Sequence, residues 1–188
     1  MKFTTILLAA AGASSTLGVA AQTRGTAPAS RDQSIVTAEA SPRAPTDRAN
    51  ARSIEFLLDA LRASLAEARM GTLAAQHSYD QKVRDFGMKL ESDHTAHAAE
   101  IERLLKPLDV TIPTEPSAEG LSQLAALTRL SGQEFDSAFV QAAIWMHTDA
   151  IEQYGAQTHA NPDRSLHDFA ERSLPMLREH LATAEALR

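Results

Sequence analysis

Between Phe86 and Leu105 the chain reads FGMKLESDHTAHAAEIERLL, an apolar stripe of helical period interrupted by two histidines. Phe86, Leu90, Ile101 and Leu104, with Val83 upstream, recur at the spacing of one helix face. At 100° per residue His97 falls about 20° and His94 about 80° from Phe86, while Lys89, Ser92, Ala96, Ala99 and Arg103 take the far side. An imidazole on a face that must be buried needs a partner. The fold therefore has to cover this stripe and supply those partners from neighbouring elements.

What surrounds the stripe narrows the class. Alanine and leucine are abundant, aromatic residues make up only 5% of the chain and β-branched residues are few, which favours helix. There are no cysteines, so disulfides, a lipoprotein anchor and thiolate metal sites are excluded. A net charge of −6 with no basic run speaks against nucleic acid or an anionic membrane as partner. The opening MKFTTILLAAAGASSTLGVAAQ has Lys2, an uncharged run from Phe3 to Ala21 and small residues at Val19, Ala20 and Ala21. It reads as a signal peptide over residues 1–21, cut after Ala21, with Ala20 as the alternative. A membrane anchor fits less well, because Thr, Ser and Gly dilute the run and no basic stop signal ends it. No later apolar segment is long enough to span a bilayer, and the mature chain is expected in the periplasm or secreted. Residues 22–46, with Pro28, Pro42 and Pro45 and almost no large apolar side chains, are expected to be a disordered linker ahead of a folded domain over 47–188.

Four long helices are expected in that domain. The first runs from about Asp47 to His77, with one stripe of Ile54, Leu57, Leu58, Leu61, Leu65 and Ala68. A neighbouring stripe of mostly small residues holds Phe56, Ala60, Ala63, Met70, Gly71 and Ala74, so this helix packs against more than one neighbour. Glu67 stands among those small residues, about 120° from the centre of the polar sector. Ser78 and Gln81 fit a capping box for the second helix, which Pro107 stops near Lys106, and the short link makes an antiparallel hairpin. After the proline-rich KPLDVTIPTEP, Ser117 caps a short helix from about Glu119 to Leu130, whose Leu121, Leu124, Leu127 and Leu130 could cover an open end or side.

Ser131 and Glu134 form a second capping box, opening the third long helix. Its inner face carries Phe139, Ala143, Met146, Ala150 and Tyr154 together with Asp136 and His147. Asn161, with Pro162 at the first helical position, is expected to open the fourth. There Leu166, Phe169, Ala170, Leu174, Leu177, Leu181 and Ala184 face inward with His180, and Pro175 on the outer side predicts a kink. Trp145 is placed under the crossover, Met70, Met88, Met146 and Met176 in the core, and His77, His159 and His167 in solvent.

The expected fold is all-α: a ferritin-like four-helix bundle with a long crossover between the second and third long helices, carrying a short extra helix. The crossover has about 12 extended residues, enough at about 3.3 Å each to span the bundle. A plain up-down-up-down bundle stays open.

Each long helix then offers one inward polar residue near its middle: Glu67, His94, His147 and His180. Counting from the turns leaves a height mismatch of roughly 6 Å within each hairpin. Three neutral imidazoles and a carboxylate suit a transition metal ion, zinc, copper or iron. Asp93, His97, Glu91 and Asp136 are candidates to support or extend the set. Glu91 and His94 also make E-x-x-H, but Leu177 stands where a second copy before His180 needs glutamate, which disfavours a di-iron site. The competing reading is a metal-free buried polar network that fixes helix register.

Glu67 with Gly71, the Asp93–His94 pair, Phe135–Asp136, His147 and the run L-P-x-L-R-E-H-L from Leu174 to Leu181 resemble exported ferritin-like proteins of domain-of-unknown-function family 4142. The resemblance covers about Ser53 to Arg188. It implies a ferritin-like four-helix bundle in the envelope of a bacterium, often Gram-negative, and no settled biochemistry. Glu91 departs from the apolar residue such proteins carry there, so E-x-x-H is incidental. Two functions follow: a periplasmic or secreted metal-binding protein that buffers or stores the ion or carries out redox chemistry with it, or a non-catalytic envelope or stress-related interaction module locked by its histidines and acids. An oxidoreductase has no nucleophile or cofactor motif behind it. No partner is named by the sequence, and a homo-oligomer stays open.

Overall fold

The computed structural model describes residues 45–160 and 163–188. The signal peptide, its cleavage point, almost all of the expected linker and the Asn161–Pro162 pair lie outside the described residues. Among those described there are five α-helices, one 3-10 turn and no strand. They are α1 (Pro45–His77), α2 (Gln81–Leu105), α3 (Ala118–Leu127), α4 (Gly132–Ala160) and α5 (Arg164–Ala186), with the 3-10 turn at Lys106–Leu108. No helix among them is long and apolar enough to cross a membrane.

The helix boundaries follow local chemistry, with three shifts from expectation. α1 begins two residues early, at Pro45, because proline's fixed φ suits the first helical position. The cap of α2 is Asp80, not Ser78: the Asp80 carboxylate accepts from the Lys82 amide at 2.7 Å, while the Ser78 amide still bonds back to Ala74 and closes α1. The cap of α5 is Asp163, which accepts from the amides of Ser165 and Leu166 where the helix dipole is positive. Ser117 caps α3 as expected, accepting from the Gly120 amide at 3.1 Å. α5 continues through Pro175.

Cross-helix contacts fix the topology. Between α1 and α2, Ser64 meets His97 and Glu67 meets His94, so these helices are antiparallel. Between α4 and α5, His147 meets His180 and Tyr154 meets Phe169, again antiparallel. Across the molecule Phe86 pairs with Phe139, His94 with His147 and His97 with Tyr154, both members advancing together, which makes α2 and α4 parallel. The connection from Lys106 to Ser131 therefore runs back along the length of the helices. The Arg69–Glu115 ion pair at 2.6 Å ties it to α1, and α3 packs on α1 and α4 through Leu124 and Leu127. Leu121 of α3 stays exposed.

The core has two apolar halves. One gathers Leu57, Leu61, Ile101, Leu105, Tyr154, Phe169 and Leu177; the other gathers Met70, Phe86, Leu90, Phe135, Phe139, Leu124 and Leu127. Burying each phenylalanine contributes about 1.5–3 kcal/mol. On every long helix the polar residue falls between the two halves: Glu67 between Leu61 and Met70, His94 between Leu90 and Ala98, His147 between Ala143 and Tyr154, His180 between Leu177 and Ala184. Near this level α1 and α2 approach closely, because a Cβ on Gly71 would overlap the carbonyl oxygen of Gly87. Two residues expected to be covered, Met88 in the core and Trp145 under the crossover, are exposed. Trp145 borders a cleft between α1, α3 and α4.

Candidate metal centre

Glu67, His94, His147 and His180 come from α1, α2, α4 and α5, and all four are buried. Their donor atoms converge. Glu67 Oε2 lies 3.3 Å from His94 Nε2 and 3.2 Å from His147 Nε2. His94 Nε2 is 3.4 Å from His147 Nε2, which is 3.2 Å from His180 Nδ1. A tetrahedral ion with bonds of 2.0–2.1 Å separates its donors by about 3.3–3.4 Å. Four of the six donor–donor distances have that length within about 0.2 Å, and the three histidine donors all lie within 4.8 Å of one another, with Glu67 beside His94 and His147. The histidine cluster could thus hold a metal ion.

The outward bonds of two rings decide which nitrogens face the centre. His147 Nδ1 donates to the Ala143 carbonyl at 2.8 Å, which leaves Nε2 as a lone pair in the neutral ring. His180 Nε2 donates to Asp93 Oδ2 at 2.8 Å, leaving Nδ1 as the lone pair. Asp93 is in turn held by Lys89 at 3.0 Å, and Lys89 also reaches Glu179 at 3.4 Å. This chain of carboxylate, imidazole and inward lone pair is the arrangement that orients histidines toward a metal.

The charges are consistent with a site that wants a cation. Burial pushes the Glu67 carboxyl up, partly offset by His147. Burial, and the neighbouring histidines after it, hold His94 well below the usual imidazole range. Burial also lowers His180, against the pull of its Asp93 bond. Burial works to raise Asp93, but its bonds to Lys89 and His180 outweigh that and keep it lowered. Glu67 Oε2 and His94 Nδ1 have no hydrogen-bond partner. Orphaned buried polar atoms are costly, about 1–3 kcal/mol each, and point to an unfilled role.

A cleft of about 330 Å³ opens beside the cluster between α1, α3 and α4, and Glu67, His94 and His97 line it. His97 lies one turn from His94 but does not join the four. Its Nδ1 meets Ser64 Oγ at 3.0 Å, its Nε2 meets Ser173 Oγ at 3.1 Å and the Tyr154 hydroxyl at 3.4 Å, and its ring stacks on Phe169.

Of the supporting candidates, Asp93 reaches the cluster and the others do not. Asp136 is 11 residues from His147, about 16 Å along α4, and its Oδ1 is buried without a partner. Glu91 faces solvent. His77, expected in solvent, meets the Leu130 carbonyl at 3.0 Å and stacks on Phe135. Sequence reasoning missed Lys89, Ser64, Ser173 and the Tyr154 hydroxyl. Only Lys89 carried a signal, its i,i+4 spacing to Asp93.

Comparison with curated proteins finds no match, and comparison with solved structures finds none either. The family profile described as "Domain of unknown function (DUF4142)" matches residues 38–187. Most of the chain, including all four converging residues, lies within that match, and the protein therefore belongs to this family.

Proposed function

We propose that the protein is an exported, ferritin-like four-helix bundle that binds one transition-metal ion through Glu67, His94, His147 and His180. The observation that carries this reading is the convergence of the three histidine donors, all within 4.8 Å of one another, with Glu67 Oε2 3.2–3.3 Å from two of them. Two antiparallel hairpins joined so that α2 and α4 run parallel support the ferritin-like assignment. Three imidazoles and one carboxylate favour zinc, with copper or iron as the other candidates. The role is to hold the ion, as a buffer or store. Asp93, supported by Lys89, orients His180.

A metal-free lock is the weaker reading, since it leaves the His147 and His180 lone pairs facing each other at 3.2 Å. The test is elemental analysis of protein expressed with its own N-terminus and purified from the periplasm, beside a His147→Ala, His180→Ala double variant. About one metal ion per chain in the first and almost none in the second is expected. Equally negligible metal in both ends the proposal. Sequencing the mature N-terminus tests export and cleavage after Ala21.

A further inference from the structure

The cleft beside the cluster has a floor, a wall and a mouth of different chemistry. Its floor includes Glu67 and His94, while His147 and His180 are fully enclosed and do not line it. Its α1 wall is made of small side chains, Ala60, Ala63 and Ala66. Its mouth carries three carboxylates, Asp59, Glu119 and Asp149; Asp59 is paired with the Arg62 guanidinium at 2.8 Å, so the excess negative charge there rests on Glu119 and Asp149. An acidic mouth alone marks nothing. Here, however, the floor holds an independent feature: Glu67 Oε2, on a side chain only 4% exposed, has no hydrogen-bond partner.

We propose that this cleft is the path by which a hydrated divalent cation reaches and leaves the centre, received at the mouth by Glu119 and Asp149 and drawn off by Glu67. The inference rests on the metal-binding reading above and adds how that site exchanges its ion. Size permits it, because six inner-shell waters occupy roughly 180 Å³ at about 30 Å³ each, against about 330 Å³ in the cleft. Electrostatics favours it, since a mouth with an excess of negative charge over low-dielectric walls concentrates counter-ions. Glu67 is the donor best placed to take the ion first. It borders the cleft and is the one carboxylate among the four converging donors, on a longer and more adjustable side chain than the enclosed imidazoles.

The experiment follows Zn²⁺ transfer to and from a chromophoric chelator by stopped flow. The fluorescence of Trp145, the single tryptophan of the chain, gives a second signal at the cleft. Two variants leave the four converging residues intact. Ala63→Phe, at an exposed position on the wall, is expected to slow association and release together by about tenfold and leave Kd within about twofold. Glu119→Gln and Asp149→Asn combined are expected to lower association several-fold at low salt, the difference fading in 0.5 M salt as screening shortens to a few ångströms. Thermal melts confirm that each variant is folded. Wild-type protein that takes up Zn²⁺ at rates neither variant alters overturns the path alone. Wild-type protein that takes up no Zn²⁺ overturns the centre and the path with it.

Discussion

His147 Nε2 and His180 Nδ1 face each other at 3.2 Å, and each ring has already committed its other nitrogen's proton outward, to the Ala143 carbonyl and to Asp93. Two neutral imidazoles in those tautomers repel across the gap. A positive species between them turns the repulsion into two bonds, and the same species meets His94, with the Glu67 carboxylate beside it.

Metal addition should therefore stabilise the fold. With free Zn²⁺ at a hundredfold its Kd, linkage gives about 2.7 kcal/mol. For a domain of this size that raises Tm by roughly 5–10 °C. Melts with Zn²⁺ and with excess chelator check it; the His147→Ala, His180→Ala variant should show no metal-dependent rise.

Asp93 acts through His180 by fixing its tautomer and ring orientation. Asp93→Ala should weaken Zn²⁺ binding about 10–100-fold while the chain stays folded. Competition against a chelator of known affinity measures this. An unchanged Kd would show that the Asp93 bond does nothing for the centre.

His97 makes stability pH-dependent on the acid side. Burial lowers its pKa to about 4 from the ordinary 6.5. Between those values the unfolded chain binds a proton that the folded chain does not. Stability must then fall as pH drops below about 6.5, level off below about 4, and lose up to about 3 kcal/mol through this group. In chelator, the fall in Tm from pH 7 to pH 4.5 should be smaller for His97→Gln than for wild type.

Two glycines separate close approach from open space. On Gly71 a methyl would run into the Gly87 carbonyl and the Glu91 amide, both backbone, so α1 and α2 must part. Gly71→Ala should cost about 1–3 kcal/mol and weaken metal binding through Glu67, one turn away. Gly155→Ala meets nothing within 4 Å inside α4 and should stabilise by roughly 0.4–1 kcal/mol. Denaturant melts of the two variants check the contrast in sign.

The helices and their inner faces were legible because both are local properties. A period of 3.6 residues places Glu67, His94, His147 and His180 inward whatever the neighbours are. Their level was legible only roughly. Counting from the turns left about 6 Å of mismatch in each hairpin, yet Glu67 and His94 meet at 3.3 Å. α1 ends at His77 and α2 opens at Gln81, which shortens the offset, and the glutamate side chain spans the rest. The caps of α2 and α5 were misplaced because several polar residues in each turn could serve, and backbone geometry chose among them.

By itself the sequence determined an all-helical chain with one buried polar residue on each long helix, since local periodicity and propensity carry that much. Only the tertiary structure decided that α2 and α4 run parallel, that Asp93 supports the centre while His97 turns to Ser64, Ser173 and Tyr154, and that a cleft reaches Glu67. Those outcomes depend on the rotation and height of whole helices to within an ångström or two. Such offsets are set by packing between residues distant in the chain, where no short-range pattern records them.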